Sequence, residues 1–341
     1  MTERIWRTHT ETYFRILPKR LGVTPRGRSR RLERAMSWLG ADHIFQAAAE
    51  AVEELLGLGI PKSTLRQVTL KHADAIGNEQ SQQEDRSYRS KPAIGAKQLV
   101  AQTDGSMVRI VPSGLKRNTK RPREWREIRL VSVQAMGTEK PVYAASMESV
   151  ERSGRQWGHS ALEAGIGLQS QVHVVSDGAP WIEKQSQEVF GFQGTYLVDF
   201  YHVSQYLGEA SEVCRPKNPR QWLRTQQRRL KVGRKEKVFK ELREHTEAEK
   251  IADEEAPVRA ALLYLENRKD QLHYKEALDR GLRIGSGTIE SGHKHVLQVR
   301  LKKAGAAWLE ENVESMARLR TAKANEAWES YWNPGSTKIA A

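Results

Sequence analysis

The stretch Gln171-Val-His-Val-Val-Ser-Asp177-Gly-Ala-Pro-Trp181 determines how the middle of this chain is expected to fold. Its first half is a continuous apolar run, which is typical of a strand buried on both faces. The run ends at an acid followed by glycine, and a helix is expected next, from Trp181 to Phe190. A buried strand that leads directly into a helix indicates an α/β protein.

Extended and helical patterns alternate on either side of this strand. Three strands are expected before it, at Leu99 to Val111, Glu124 to Met136 and Pro141 to Met147, followed by a helix at Gln156 to Ala164. One more strand follows at Thr195-Tyr-Leu-Val-Asp199-Phe-Tyr-His202. The order β-β-β-α-β-α-β is the layout of an RNase H-like α/β core, in which the first three strands form an antiparallel meander.

Two acids share one setting, because Asp104 and Asp177 each lie in or at the end of a predicted strand and each precedes a glycine. If the first and fourth strands are neighbours, both carboxylates reach the same edge of the sheet, and the missing Cβ after each leaves room for a metal ion, water or phosphate. Carboxylates that close repel each other unless a divalent cation neutralises them, and oxygen ligands favour Mg²⁺ or Mn²⁺. The alternative is that each Asp-Gly pair is an ordinary turn signal.

A third acid stands in Ile284-Gly-Ser-Gly-Thr-Ile-Glu290, at the head of a basic helix expected to end at Gly305. Glu290 would complete a site for two ions. Lys294 and Arg300 follow on the same helical face, where they are predicted to hold a phosphate backbone. The alternative is an acid that only complements the helix dipole.

The overall composition predicts a polyanionic partner. The chain has 341 residues, with 56 Lys and Arg against 42 Asp and Glu, which gives a net charge of +14. Nucleic acid is therefore the expected partner. The mean hydropathy is −0.68, and we find no membrane-spanning run and no signal-peptide pattern, so a soluble, intracellular protein is expected. A single cysteine, Cys214, excludes an internal disulfide and a multi-cysteine zinc site.

Residues 1–76 are predicted to form a basic, helical, DNA-binding region. A helix from Ala41 to Leu58, a turn and a second helix to about Ala75 have helix-turn-helix spacing. Arg66 and Lys71 are the second-helix cations expected to face DNA, although a plain helical hairpin has the same pattern.

The rest of the chain divides by composition. Residues 77–97 are polar and are predicted to be a linker, residues 98–206 are the first part of the core, and residues 207–280 are an all-α insertion. Between residues 215 and 243, twelve Lys and Arg stand against two Glu, so this part is predicted to face DNA through Arg224, Arg228 and Arg229. A solvated helical surface is the alternative. Residues 281–325 are the second part of the core, and residues 326–341 are a tail.

These motifs together resemble those of DDE transposases of bacterial insertion sequences, which have a retroviral-integrase-type, RNase H-like core, and in particular the ISKra/ISLre and Mutator-like groups. The resemblance covers residues 98–310. It rests on Gln102-Thr-Asp104-Gly, Val175-Ser-Asp177-Gly-Ala-Pro-Trp181 and Ile284-Gly-Ser-Gly-Thr-Ile-Glu290-Ser-Gly, and on Asp199-Phe-Tyr-His202 as the Asp-x-x-His motif. The 113 residues between Asp177 and Glu290 (290 − 177) agree with an inserted helical segment.

The resemblance implies an endonuclease that performs DNA recombination for a mobile element. It implies that Asp104, Asp177 and Glu290 are catalytic and bind two Mg²⁺ or Mn²⁺ ions, and that Asp199 and His202 support the site. The implied partner is double-stranded DNA, namely the element's terminal inverted repeats and the target, bound by a homo-oligomer in the prokaryotic cytoplasm at the nucleoid. Two alternatives remain: a metal-dependent nuclease without strand transfer, and an inactive DNA-binding relic or regulator.

Overall fold

The computed structural model of the protein describes residues 6–7, 13–14, 27–87, 90–112, 122–325 and 327–333. The chain divides into two compact units, each made of separate segments. The first comprises residues 1–81, 109–124 and 296–341, and the second comprises residues 82–108 and 125–295. Residues 1–5, 8–12 and 15–26 of the predicted basic DNA-binding region lie outside the described residues.

The sheet is mixed and has six strands, so the expected α/β class is confirmed. Its main strands are β3 (Gln98–Val111), β4 (Glu124–Ala135), β5 (Val142–Ser146), β6 (Gln171–Ser176) and β7 (Gly194–Val198). They lie in the order β5-β4-β3-β6-β7, and β8 (Trp308–Leu309) pairs with the far end of β3. Strand β4 is antiparallel to β5, whereas β3, β6 and β7 are parallel. The predicted succession of strands and helices matches this order.

Two helices cover one face of the sheet in the second unit. They are α4 (Val150–Glu163) and α5 (Pro180–Phe190), which follow β5 and β6. Trp157 of α4 meets Phe190 of α5 edge to face, with ring centroids 5.2 Å apart. Both rings belong to a buried cluster that includes Leu99 and Val174 from neighbouring strands. Each such side chain stabilises the fold by about 1.5–3 kcal/mol relative to leaving it exposed.

Residues 200–279 are almost entirely helical. The elements are α6 (Phe200–Cys214), α7 (Pro219–Lys231), α8 (Lys235–Glu244), α9 (Pro257–Glu266) and α10 (Tyr274–Asp279), with 3-10 turns at 253–255 and 269–271. A further 3-10 turn, at 191–193, precedes β7. Trp222, Phe239 and Leu265 from these helices share one buried cluster with Val175 of β6 and Leu197 of β7. The helical segment therefore packs on the sheet and shares its core.

The first unit is mainly helical. It contains α1 (Arg30–Asp42), α2 (Phe45–Leu56), most of α3 (Lys62–Ser87), α12 (Val299–Leu301), α13 (Glu310–Ala324) and α14 (Ala327–Trp332), with a small pair of strands, β1 (Trp6–Arg7) and β2 (Tyr13–Phe14). Met36, Val52 and Leu65 form its core with neighbouring apolar residues. The predicted helix-turn-helix spacing is present as α2, a turn at Gly57, and α3.

Two predicted irregular segments are helical in part. Residues 77–87 were expected in a linker but continue α3, because their Glu and Gln residues favour a helix and because Glu84 is buried against Arg152. Part of the expected tail forms α14, in which Trp328 and Trp332 are buried. Among the described residues, no helix is long and apolar enough to cross a membrane.

Candidate active site

The strand register places three aspartates side by side. Strands β3 and β6 pair Gln98 with Gln171, an offset of 73 (171 − 98), and Asp104 and Asp177 have the same offset (177 − 104). Strands β6 and β7 pair Val172 with Gly194, an offset of 22, which also relates Asp177 to Asp199 (199 − 177). All three acids therefore stand at one level, where β6 and β7 end.

The three predicted acids line one cavity of about 200 Å³ in the second unit. Asp104 comes from β3, Asp177 follows β6, and Glu290 lies in α11 (Gly287–Gly292). Asp199 and His202 line the same cavity, so the structure brings together every residue predicted to form or support the site. The remaining lining residues are Thr103, Ser176, Tyr201, Gln205, Ser286 and Ile289.

The surroundings of Asp104 perturb its carboxyl group strongly. Burial is the main cause that raises its pKa, to about 6, and the negative charges of Asp177, Glu127 and Glu290 add to it. The backbone N–H of Gly105 opposes the shift by donating to Asp104 Oδ1 over 2.7 Å. Crowding of like charges is the electrostatic condition in which carboxylates favour a cation.

The space beside the two glycines is filled by protein side chains. A Cβ on Gly105 would lie 2.2 Å from Oε1 of Glu127, and a Cβ on Gly178 would lie 2.4 Å from Nε of Arg268. The expectation that these glycines leave room for a metal ion, water or phosphate is therefore wrong. A side chain at position 105 would displace the end of Glu127, whereas at position 178 the positive φ of +85° also favours glycine.

The turn after Asp177 is held by the helical segment. The Tyr264 hydroxyl donates to the carbonyl oxygen of Asp177 over 2.6 Å. Arg268 donates to the carbonyl oxygen of Gly178 from Nε, at 3.1 Å, and from Nη2, at 2.8 Å. Tyr264 in turn stacks on Tyr206 at 4.1 Å between ring centroids, and the Arg268 guanidinium lies 4.0 Å from the centroid of the Tyr264 ring. The helices of residues 200–279 thus position one of the three acids.

Gln102 connects the strand that carries Asp104 to the helix that carries Glu290. It is almost fully buried, at 1% exposure. Its Nε2 donates to the carbonyl oxygen of Gly285 over 3.1 Å, and its Oε1 accepts the N–H of Ile289 over 2.9 Å. The side-chain amide of Gln102 therefore fixes the backbone just before α11 and within its first turn.

Both carboxylate oxygens of Asp199 accept hydrogen bonds from backbone N–H groups. Oδ1 accepts the N–H groups of Tyr201 and His202 and caps α6. Oδ2 accepts the N–H of Ser286, just before α11. Asp199 thus connects the start of α6 to the segment that leads into α11. Its neighbour His202 packs its ring near Tyr206 and Tyr264, at 5.6 and 5.7 Å between centroids.

The helix after Glu290 differs from the expected regular α-helix. It ends at Gly292, and residues His293–Gln298 form a π-helix before α12. In the second unit, buried His293 places Nε2 3.1 Å from the Asp104 carbonyl oxygen and 3.7 Å from its carboxylate. Wider π-turns change which side chains share a face, and such turns are frequent at functional sites.

The predicted DNA-facing cations have different surroundings. Arg66, Arg224, Arg228 and Lys294 are exposed. Lys71 is mostly exposed but lies 3.3 Å from Glu33, and Arg229 pairs with Glu241 at 2.7 Å.

Arg300 is buried, so its predicted contact with DNA is not supported. In the first unit its Nε donates to the carbonyl oxygen of Gly40, and its guanidinium lies 4.6 and 4.5 Å from the ring centroids of Phe45 and Trp308. Burial lowers the pKa of Arg300 to about 10. The cation therefore serves packing within this unit.

Gln102, Tyr264 and Arg268 were not predicted as site residues. Gln102 stands two residues before Asp104 in the same strand, so strand periodicity places both on one face and is a signal that could have found it. Tyr264 and Arg268 lie 87 and 90 residues from their partners along the chain, and no local pattern indicates that contact.

The donor chemistry of the cavity fits a hard divalent cation. Asp104, Asp177 and Glu290 offer only carboxylate oxygens, which Mg²⁺ and Mn²⁺ prefer. Within the described ranges no three His, Cys, Asp or Glu side chains are already close enough together to hold one ion. Binding would therefore require the three side chains to converge within the cavity that they share.

The fold and site define an α/β protein with an acid-lined cavity at the ends of parallel strands. The profile of an uncharacterised protein family, UPF0236, matches residues 163–330, a range that contains Asp177 and Glu290. A Streptococcus gallolyticus protein described as "UPF0236 protein in vanSb 3'region" is 25% identical over 338 residues, which cover 96% of this chain and 70% of the relative. The similarity to this relative extends over nearly the whole chain.

Proposed function

We propose that this protein is a DNA transposase with an RNase H-like core, which cuts DNA at the ends of its own mobile element and joins the freed 3′ hydroxyl to target DNA. One observation carries the proposal: Asp104, Asp177 and Glu290, widely separated in sequence, line one cavity at the ends of parallel strands. The strand order β5-β4-β3-β6-β7, with an antiparallel pair on one side and three parallel strands on the other, supports the RNase H-like assignment.

Three carboxylates suit phosphoryl transfer without a side-chain nucleophile. Asp104, Asp177 and Glu290 would hold two Mg²⁺ or Mn²⁺ ions, which supply Lewis acidity to the phosphate when they are bound. The contribution of the remaining residues is positioning, which is a main source of rate in phosphoryl transfer. Gln102 and Asp199 fix the helix of Glu290, and Tyr264 and Arg268 fix the turn of Asp177.

Charge supports duplex DNA as the substrate. The net charge is +14, and Arg66, Arg224 and Arg228 are exposed cations. Contacts to phosphates supply most non-specific affinity for DNA. We infer that the protein acts as a homo-oligomer on the element's terminal inverted repeats and on target DNA, in the prokaryotic cytoplasm at the nucleoid.

A strand-joining assay tests the proposal. The purified protein would be incubated with Mg²⁺, a supercoiled target plasmid and labelled duplexes that carry the inverted repeats flanking its gene. We expect label in the plasmid, and none with Asp104→Asn. Asp270→Asn, which changes an exposed acid of the same unit, is the matched control and should retain joining.

The two rival functions give different products in the same assay. A nuclease would release shortened labelled strands and leave the plasmid unlabelled. A DNA-binding regulator or an inactive relic would bind the duplex and change neither strand. Either result, obtained with protein that melts cooperatively, would overturn strand transfer as the function.

A further inference from the structure

A second cavity, of about 670 Å³, lies in the same unit as the acid-lined cavity. Tyr201 lines both of them, and Gly285 of the second is followed directly by Ser286 of the first. The two cavities thus meet at the start of α6 and at the segment that leads into α11. A nucleic-acid strand bound at the acids would therefore place a neighbouring nucleotide at the second cavity.

Tyr201 is an exposed aromatic ring that the fold holds in place. Its relative exposure is 63%. Its ring meets Phe200 edge to face at 5.7 Å, and its backbone N–H is bound by Asp199. A Cβ on Gly285 would lie 2.5 Å from Cε2 of Tyr201, so glycine is required for the ring to lie against this backbone. A ring fixed before binding loses little conformational entropy when a planar ligand stacks on it.

The charges of the second cavity favour a nucleobase over a bare phosphate. Arg283 is the cation and Glu139 the acid among its described lining residues. The exposed Arg283 donates to the hydroxyl of Thr288, which orients its guanidinium. Tyr143 and the small residues Gly287 and Ser291 complete one side of the lining. Aromatic rings combined with a cation are the features that bind single-stranded nucleic acid.

We propose that the cavity bounded by Tyr201 and Arg283 is a subsite for one unpaired nucleotide next to the scissile phosphate. The base stacks on the Tyr201 ring, and Arg283 contacts the adjoining backbone phosphate. The subsite rests on the proposed function, since it places that nucleotide beside the acids. It implies that the duplex is opened locally before the strand reaches the carboxylates, because a paired base cannot stack on a protein ring.

Binding of single-stranded oligonucleotides to the full chain, in EDTA, tests the subsite. Fluorescein-labelled oligonucleotides of mixed sequence would be compared with abasic oligonucleotides of the same length by anisotropy. Tyr201→Ala should weaken binding of the first by about tenfold and of the second by less than about twofold, because only a base can stack. Tyr201→Phe, which keeps the ring, should bind as the wild type does. Arg283→Gln should weaken binding of both probes.

The matched control is Phe192→Ala, which removes an aromatic ring of 97% exposure near the opposite end of β7. It should change neither affinity. Cross-linking of 5-iodouracil oligonucleotides should map to the peptide that contains Tyr201.

The possible failures are distinguishable. If wild type binds both probes but Tyr201→Ala weakens them equally or not at all, the subsite is wrong and the transposase proposal stands. If wild type binds no DNA, both proposals fail. If Tyr201→Ala no longer melts cooperatively, its binding data are not used, and the cross-linking of the wild type is the test. A wild-type protein that does not cross-link through the peptide containing Tyr201 overturns the subsite.

Discussion

Asp104 in β3 and Asp177 directly after β6 stand at the same level when the strand register is extended, because their separation of 73 residues equals the offset between the paired residues Gln98 and Gln171. The hydroxyl of Ser176 donates to the carbonyl oxygen of Thr103 over 2.6 Å, which holds the strands together just before the acids. The distance between the carboxylates is therefore set by strand pairing, which is a rigid support for a site.

Neutralising any one of the three acids should abolish cleavage and joining. Asp104→Asn, Asp177→Asn and Glu290→Gln each remove a charge and an anionic ligand with almost no change of shape. DNA affinity should be unchanged or higher, because the cavity becomes less negative. Measurement of products and of binding on the same preparations checks this. Retained activity in one variant would remove that acid from the site.

Gln102→Leu should reduce activity at least tenfold and also lower stability. The substitution deletes both hydrogen bonds to the backbone around α11. The N–H of Ile289 keeps its bond to the carbonyl oxygen of Ser286, so the main cost is the lost partner of the Gly285 carbonyl oxygen, about 1–3 kcal/mol. Gln187→Leu, which alters an exposed amide of the same unit, is the control. A merely structural Gln102 would lower the melting temperature without changing the Mg²⁺ concentration needed for half-maximal activity, whereas a positioning Gln102 changes both.

Arg268→Lys should impair activity almost as much as Arg268→Ala. Lysine keeps the positive charge but cannot donate from two nitrogens to the Gly178 carbonyl oxygen as arginine does. Gly178→Ala should also be impaired, because Gly178 has φ of +85° and its Cβ would strike Arg268. If Arg268→Lys has full activity, charge alone accounts for the role of this residue, and the two hydrogen bonds to the Gly178 carbonyl oxygen are unnecessary.

Reversing Arg224 and Arg228 together should flatten the salt dependence of binding to any duplex. Each phosphate contact contributes roughly −0.9 to the slope of log K against log salt, so the slope should fall by about two units. Arg229→Glu should instead destabilise the protein, since it faces Glu241. Arg66→Ala and Lys71→Ala should weaken binding to element ends more than to random DNA. If the two pairs of substitutions had equal effects on element ends and on random DNA, the proposed difference between general and end-specific contacts would be wrong.

Glu33 should make the stability of the first unit sensitive to acid. Burial would raise its pKa, but hydrogen bonds from His72 and Lys71 outweigh burial and lower it below 4.5. A lowered folded-state pKa adds stability that is present above about 4.5 and is lost as the pH falls through the folded value. In Glu33→Gln the free energy of unfolding should therefore fall less steeply below that pH than in the wild type. Urea unfolding at intervals from pH 7 to pH 3 measures this. The same decrease in the free energy of unfolding between pH 5 and pH 3 in both proteins would contradict this role of Glu33.

The strands and the acids were predictable because they depend on local pattern. Alternating or continuous apolar runs gave β3, β4, β5, β6 and β7 within a few residues, and an acid before glycine marked Asp104 and Asp177. The extent of α3 was not predictable, since the polar composition of residues 77–87 also suits a linker. Burial of Glu84 against Arg152 is a contact between distant segments.

The sequence by itself determined which residues are acidic, where most strands and helices lie, and that the chain carries a large positive charge. Only the tertiary structure decided what each polar group does. Asp199 gives both carboxylate oxygens to two helix starts, and Arg300 is enclosed by Phe45 and Trp308 rather than exposed to DNA. The physical reason is that periodicity assigns a residue to a face of its own element, whereas burial and hydrogen-bond partners depend on which distant element packs against that face.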